Sequence, residues 1–529
     1  MISSRAYRSS LFPRRRVGRP VGASVLLALL LLAVACGPAA TDDPRFGGRV
    51  VRRDPVAAVT AAPPTTVATL TPPPYAVTWT PGNCPFSPAS ANGFTIDCGM
   101  LTVPMKRSVL SGKTVKIAAA RIHSSSPTPL PDPVVYLEGG PGGSAISSVD
   151  FWTKPAASIL EDRDLILVDQ RGTGYSEPRL FCEQFDQDIE LFADVGSLAA
   201  DCLHQLQNTG VDVTGFNTTE SAADIADLRW ALKFDKWNLF GISYGTRLAL
   251  WIMKTRPEGV RAVVIDSVYP PGVQSYTSIP TSLNRSLQAV FADCAAQPTC
   301  AAAYPDLNAL LARAIDVAND KYFQGGSDFV DMLHSALYQT DVIPDVPKAL
   351  RAAAAGDLFT AQDLFFGSGA KARHPDEAER PESIRERPHM SEALFHAVEC
   401  AEAAPGNTSA SIREGAAALP PQLRTEIVNQ DLQSLALCNV WKMPPNPLSV
   451  VESAIPTLVL AGTYDPITPP AWGELAAKTL SSSKFVLVNG AGHGVWTAGD
   501  CPKQLIKLYF DDPAAPGPDC TSAPPEFSR

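Results

Sequence analysis

The sequence predicts an α/β fold: a mostly parallel sheet with helices on both faces, interrupted by an inserted, mainly helical block. Three observations predict it. Apolar runs of strand length alternate with helix-like segments from 134 to 268, the order expected of parallel strands joined by helical crossovers. Between about 270 and 446 the strand-like runs give way to alanine-rich, helix-like stretches such as 307–319 and 346–355, and strand-like runs resume at 455. At 529 residues, 45% of them hydrophobic, the chain can bury one large core and still carry a sizeable insertion.

In chain order, residues 1–35 combine a basic start (Arg14, Arg15, Arg16 and Arg19) with an apolar run at 25–35. That run is short for a membrane span and reads as a secretory signal. Leu32-Ala33-Val34-Ala35-Cys36-Gly37 resembles a bacterial lipobox. The resemblance implies that Cys36 is lipidated and becomes the mature N-terminus, anchoring the protein to the membrane outside the cytoplasm; plain secretion is the other reading. Residues 36–80 are rich in Pro, Thr, Ala and Val, a composition suited to a flexible tether. The first part of the α/β core is assigned to 81–270, the helical cap to 271–446 and the rest of the core to 447–529.

The run at 134–137 reads as a strand and leads into Glu138-Gly139-Gly140-Pro141-Gly142-Gly143-Ser144. Such glycines let backbone N–H groups approach a bound group. A phosphate-cradling loop is the competing reading, but the chain has no G-x-x-x-x-G-K-[ST] and no adjacent lysine. Further on, Gly241-Ile242-Ser243-Tyr244-Gly245 lies between an apolar run and a helix-forming run. That is the context of a nucleophile elbow, whose turn lifts a serine Oγ out of the packed sheet toward a base. Ser243 is the candidate nucleophile, Tyr244 N–H a candidate oxyanion donor, and Gly140, ahead of Gly139, the candidate second donor.

A serine nucleophile needs an acid and a base, each on a loop after a strand. The buried-strand run 455–462 ends at Thr463-Tyr464-Asp465-Pro466, and the strand run 484–488 ends at Gly490-Ala491-Gly492-His493-Gly494. Asp465 and His493 are the candidates. Asp266 is the rival acid, because it ends the strand that follows the elbow. Of the seven histidines, His204, His334 and His396 lie in helix-like stretches, and His374 and His389 in or beside the charged segment 371–387. None of these, nor His123, suggests chemistry.

The glycine loop, Asp169-Gln170-Arg171-Gly172-Thr173-Gly174-Tyr175-Ser176, the elbow and the Asp465/His493 pair together resemble the proline iminopeptidase and tripeptidyl aminopeptidase family of serine α/β-hydrolases. The tail resembles that family's TAP-like C-terminal region. The resemblance covers roughly 81–520 and implies an α/β-hydrolase fold with a cap over Ser243, no metal and no organic cofactor. Its implied substrates are peptides with free N-termini. Many relatives have histidine before the glycine loop, where this chain has Glu138; the departure leaves the triad untouched. By resemblance to the family's acidic residue after a cap cysteine, Glu402, and more weakly Glu399, are offered as anchors for a substrate amine, against a reading of both as surface acids. Asp169 and Arg171 read as a structural ion pair bracing the floor of the site.

With Cys36 set aside, ten of the eleven cysteines remain, an even number that suits an oxidising compartment. Sequence does not determine connectivity; near-neighbour pairing suggests Cys84 with Cys98, Cys182 with Cys202, Cys294 with Cys300, Cys400 with Cys438, and Cys501 with Cys520. No C-x-x-C pair points to zinc, and a net charge of −10 argues against nucleic acid as a partner. The expected activity is an exported aminopeptidase. A carboxylesterase using the same triad and a non-enzymatic binding lipoprotein are the alternatives.

Overall fold

The computed structural model describes residues 71–529, apart from 111, 155–157, 183–184, 186–194, 323–324, 368–389, 521–522 and 529. The signal segment, Cys36, most of the tether, His374 and His389 therefore lie outside the described residues.

Nine strands form one sheet: β1 (Thr78–Gly82), β2 (Ile96–Pro104), β3 (Thr114–Ile122), β4 (Val134–Leu137), β5 (Leu165–Val168), β6 (Trp237–Ile242), β7 (Val260–Asp266), β8 (Thr457–Gly462) and β9 (Ser483–Val488). Their order is β1-β2-β3-β5-β4-β6-β7-β8-β9. The pairs from β1 through β3 to β5 are antiparallel and all others parallel. Every residue of β4, β5 and β8 is buried, which explains why these strands read as unbroken apolar runs: helices cover both faces. Those helices are α1 (Val195–Asn208), α2 (Thr218–Leu232) and α3 (Tyr244–Thr255) before the insertion.

The assignment of residues 78–80 to the tether is corrected. They belong to β1 and pair with β2. Composition misleads here because the Trp79 indole lies directly over Gly99, where a Cβ would overlap it, and this glycine-sized gap is invisible in a Pro/Thr-rich count.

Between β7 and β8 the chain runs through α4 (Ser275–Ala296), α5 (Leu307–Lys321), α6 (Gly325–Tyr338), α7 (Val346–Ala354), α8 (Leu358–Phe366), α9 (Glu392–Glu402) and α10 (Pro421–Trp441). All lie inside the stretch expected to be helical. The core resumes with β8, α11 (Pro470–Ala477), β9 and α12 (Asp500–Asp511). The five disulfides join Cys84–Cys98, Cys182–Cys202, Cys294–Cys300, Cys400–Cys438 and Cys501–Cys520, the near-neighbour pairs. Among the described residues no helix is long and apolar enough to cross a membrane, and no cluster of three or more His, Cys, Asp or Glu could hold a metal ion.

Candidate active site

Ser243 sits between β6 and α3 with φ 54° and ψ −124°, a backbone conformation that a serine adopts only where its surroundings enforce it. Close packing enforces it. A Cβ at Gly241 would overlap Gly245 O, and one at Gly245 would overlap Leu137 O at the end of β4. Ser243 N also donates to Asp266 O at 3.0 Å, tying the elbow to β7.

Asp465 follows β8 and His493 follows β9, so both reach the same edge of the sheet as Ser243. Asp465 Oδ2 accepts from His493 Nδ1 at 2.9 Å and from Thr468 Oγ1 at 2.7 Å. Its Oδ1 accepts from the N–H groups of Ile467 and Thr468 at 3.0 and 2.8 Å. The carboxylate side chain is fully buried and the imidazole nearly so. Burial raises the Asp465 pKa, but the His493 charge and the hydrogen bonds from His493 and Thr468 outweigh it and hold the carboxyl below its usual range. With Nδ1 donating to Asp465, Nε2 is the ring nitrogen left to accept a proton. Ser243 Oγ has no hydrogen-bond partner among the described residues; such links commonly tighten only when substrate is bound.

Asp266, the rival acid, has a different task. Its carboxylate accepts from Val495 N at 3.0 Å, Trp496 N at 2.8 Å and Ser267 Oγ at 3.1 Å, while Ser267 Oγ accepts from Gly494 N at 2.8 Å. Burial pushes its pKa up to about 6 despite those bonds. Asp266 thus fastens the loop just beyond His493 and leaves the imidazole to Asp465.

For an oxyanion, Tyr244 opens α3, so its N–H is among those a helix leaves without an intrahelical acceptor. The glycine loop follows β4, beside β6, and a Cβ at Gly139 would come within 2.9 Å of Ser243 Cβ. Gly139 N–H, however, donates to Glu138 Oε1 at 2.8 Å. It is spent, which leaves Gly140 as the second candidate donor. Gly140 has a φ of +113°, which glycine tolerates best. Glu138, partly buried, also accepts from Tyr136 OH at 3.2 Å, and burial raises its pKa.

The expected Asp169–Arg171 ion pair is not formed. Asp169 accepts from Ser144 Oγ, Ile146 N and Tyr175 N at 2.9, 3.0 and 2.8 Å, bracing the end of the glycine loop. Arg171 instead binds Asp224 of α2 at 2.6 and 2.7 Å, and the carbonyls of Met105 and Gly215. A turn begun at Gln170, whose carbonyl accepts from Thr173 N, sends the two side chains to different neighbours.

The side chains of Glu399 and Glu402 in α9 are both buried, which excludes their reading as surface residues, and their partners differ. Glu402 is saturated: Oε1 accepts from Thr218 N at 2.8 Å and Asn446 Nδ2 at 2.9 Å, Oε2 from Thr218 Oγ1 at 2.7 Å, and Arg247 Nη1 lies 3.8 Å away. It caps the start of α2, a structural role. Glu399 Oε2, by contrast, is buried without a partner. Burial, with Glu402 adding to it and Arg247 opposing it, lifts the Glu399 pKa to about 7. Arg247, one turn beyond the elbow, stacks 3.5 Å from the Tyr269 ring centre.

Sequence reasoning missed four contributors. Thr468 could have been found, since an Asp accepting the N–H groups two and three residues on is a recurrent turn pattern. Met390 and Ser391, which pair with Gly143 and Gly142 of the glycine loop, left no local trace. Neither did Tyr338, whose ring lies 4.4 Å from that of His493.

The strand order, the elbow and the carboxylate–imidazole pair define an α/β-hydrolase of the serine type, and residues 132–300 match the family profile described as alpha/beta hydrolase fold. Residues 425–522 match the profile of TAP-like protein. The chain is 28% identical over 283 residues to a tripeptidyl aminopeptidase of Streptomyces lividans, covering 50% of this chain and 51% of that protein. It is 24% identical over 498 residues to serine protease Hip1 of Mycobacterium tuberculosis (82% and 88%). Over 137 residues it is 28% identical to a proline iminopeptidase of Xylella fastidiosa (26% and 32%). Hip1 apart, the match spans about half or less of these curated relatives. Among solved structures, a thermophilic esterase from Thermogutta terrifontis overlaps with a TM-score of 0.35 at 16% identity, over 78% of this chain and 99% of that one. The chain thus carries an α/β-hydrolase-fold segment and a TAP-like C-terminal segment, and is similar to proteins named as tripeptidyl aminopeptidases and proline iminopeptidases.

Proposed function

We propose that the protein is an extracytoplasmic serine exopeptidase that cleaves peptides near a free N-terminus through an acyl-enzyme. The observation that carries this reading is Glu399, a buried cap carboxylate with an unpartnered oxygen whose charge bears on Tyr244 and Arg247 of the elbow helix. An enclosed acid with spare acceptor capacity suits a substrate ammonium. The named peptidases among the relatives support the same class.

In this mechanism Ser243 Oγ attacks the scissile carbonyl as His493 Nε2 takes its proton, and the Tyr244 and Gly140 N–H groups receive the oxyanion. Asp465 orients the ring and stabilises the imidazolium. The proton then passes to the leaving nitrogen, the C–N bond breaks, and water, activated by the same imidazole, releases the acyl group. Five disulfides suit an oxidising location, and lipidation at Cys36 would tether the enzyme there.

The test is chromophore release from free and N-acetylated aminoacyl and tripeptidyl anilides and from a short-chain ester, with Ser243→Ala as control. Cleavage confined to free N-termini and lost in the variant is expected. Ester turnover with no anilide cleavage would move the assignment to carboxylesterase. Failure of the wild type to label with a fluorophosphonate would leave a binding protein on a hydrolase scaffold.

A further inference from the structure

The turn that carries Asp465 leaves β8 with three successive carbonyls, at 463, 464 and 465, pointing away from the sheet ladder. Buried carbonyls need donors, and all three find them on one turn of the cap helix α4. Arg285 Nη1 donates to Thr463 O at 2.8 Å and Nη2 to Asp465 O at 2.5 Å. Ser286 Oγ donates to Tyr464 O. Two turns further along α4, Asp293 accepts from Tyr464 OH at 2.5 Å. The loop of His493 is backed in the same way by α6 and the residues after it. Thr340 Oγ1 accepts from Gly492 N at 3.0 Å, and a Cβ at Gly492 would overlap Leu337 O.

Arg285 is unusual within this clamp. Among the described residues it forms no ion pair with a carboxylate, its Nε is buried without a partner, and the charge that most offsets its burial is that of Asp465. The planar fork of an arginine presents two N–H donors in fixed directions, which suits a pair of carbonyls; a lysine ammonium lacks that fixed geometry. We propose that Arg285 is a positioning residue for the acid of the triad: from the cap helix it fixes the Asp465 turn, so that cap docking and the Asp465–His493 hydrogen bond form one mechanical unit. The cap is then part of the proton relay's geometry as well as a roof over the substrate. This rests on Ser243, His493 and Asp465 being the reacting residues.

The experiment compares wild type, Arg285→Met and Arg285→Lys in the full chain. It measures the second-order rate of Ser243 labelling by a fluorophosphonate, kcat and KM on whichever chromogenic ester or anilide the wild type turns over, and Tm. Displacement of a reacting group by about 1 Å costs on the order of 100-fold. Arg285→Met is therefore expected to lower the labelling rate and kcat by roughly 10- to 100-fold, with KM within about threefold and the folded fraction intact. Arg285→Lys, which keeps a charged donor group but not the planar fork, recovers part of the loss. If Arg285→Met does not fold, the lysine variant carries the same comparison. A folded variant with wild-type labelling and kcat overturns the proposal. So does a loss of activity that merely follows the loss of folded protein, with an unchanged rate per titrated active site. A wild type that does not label refutes the triad reading itself, a result distinct from either.

Discussion

Glu399→Gln is expected to strengthen the fold while weakening substrate binding. In the folded protein Glu399 titrates near 7, against an ordinary 4.5. The native state therefore binds a proton more tightly than the unfolded chain does. By linkage, the side chain costs nothing while it stays protonated in both states, below about 4.5; the cost grows as pH rises from there to about 7 and is constant above. At 1.36 kcal/mol per pH unit, the displacement corresponds to about 3 kcal/mol. Glutamine removes the charge and nearly keeps the shape, so the variant is expected to be more stable than wild type by up to about 3 kcal/mol at pH 8, with the gap closing toward pH 4.5. Urea unfolding at both pH values reads this difference directly and cancels contributions from other titrating groups such as Asp266. On the functional side, an amide cannot supply the charge-assisted bond an ammonium needs, worth about 1.5–3 kcal/mol. KM for free-amine anilides is expected to rise roughly 10- to 150-fold, with ester KM unmoved. A variant that is no more stable at pH 8, or one that binds free-amine substrates as wild type does, refutes the reasoning.

Two further outcomes follow from the same geometry. Asp465→Asn is expected to fold normally and lose roughly 10³- to 10⁴-fold in kcat with little change in KM, because an amide no longer dictates which imidazole nitrogen carries the proton; steady-state kinetics on the best ester or anilide checks it. The Cys400→Ser/Cys438→Ser pair removes a bridge closing a loop of 38 residues, worth up to about 4 kcal/mol by chain entropy. Because Glu399 adjoins Cys400, KM for free-amine substrates is expected to rise more than KM for esters, as parallel assays and a melting curve would show.

What the sequence makes legible is what the backbone settles locally. Ser243 is readable because its turn admits only glycine at 241 and 245, where a Cβ would strike Gly245 O and Leu137 O; that restriction is written in five consecutive letters. Asp465 and His493 are readable for a similar reason, since each follows a strand by one short turn. Asp266 and Asp465 look alike at this level, as acids at the ends of apolar strands. They part company only through partners such as Val495 N, 229 residues from Asp266. Glu399 and Glu402 of α9 show the same limit: spacing places 399 and 402 on one face, but Glu402 binds Thr218, 184 residues away, whereas Glu399 Oε2 is left without a partner.

The division has a consequence for how this chain can vary. In the proposed mechanism the elbow and the two loop residues define the chemistry, whereas α4 and Thr340, just after α6, supply the hydrogen bonds that hold the acid and base loops still. On the proposed function, Glu399 is a cap position that can change and alter what is bound. Arg285, Ser286 and Thr340 cannot change in the same way, because each holds a backbone group of the acid or base loop. A cap grafted from a relative would therefore transfer specificity only if it brought a donor pair for the carbonyls of 463 and 465. Without one, the expected result is normal substrate affinity and a depressed kcat, the reverse of what a change in the roof alone would produce.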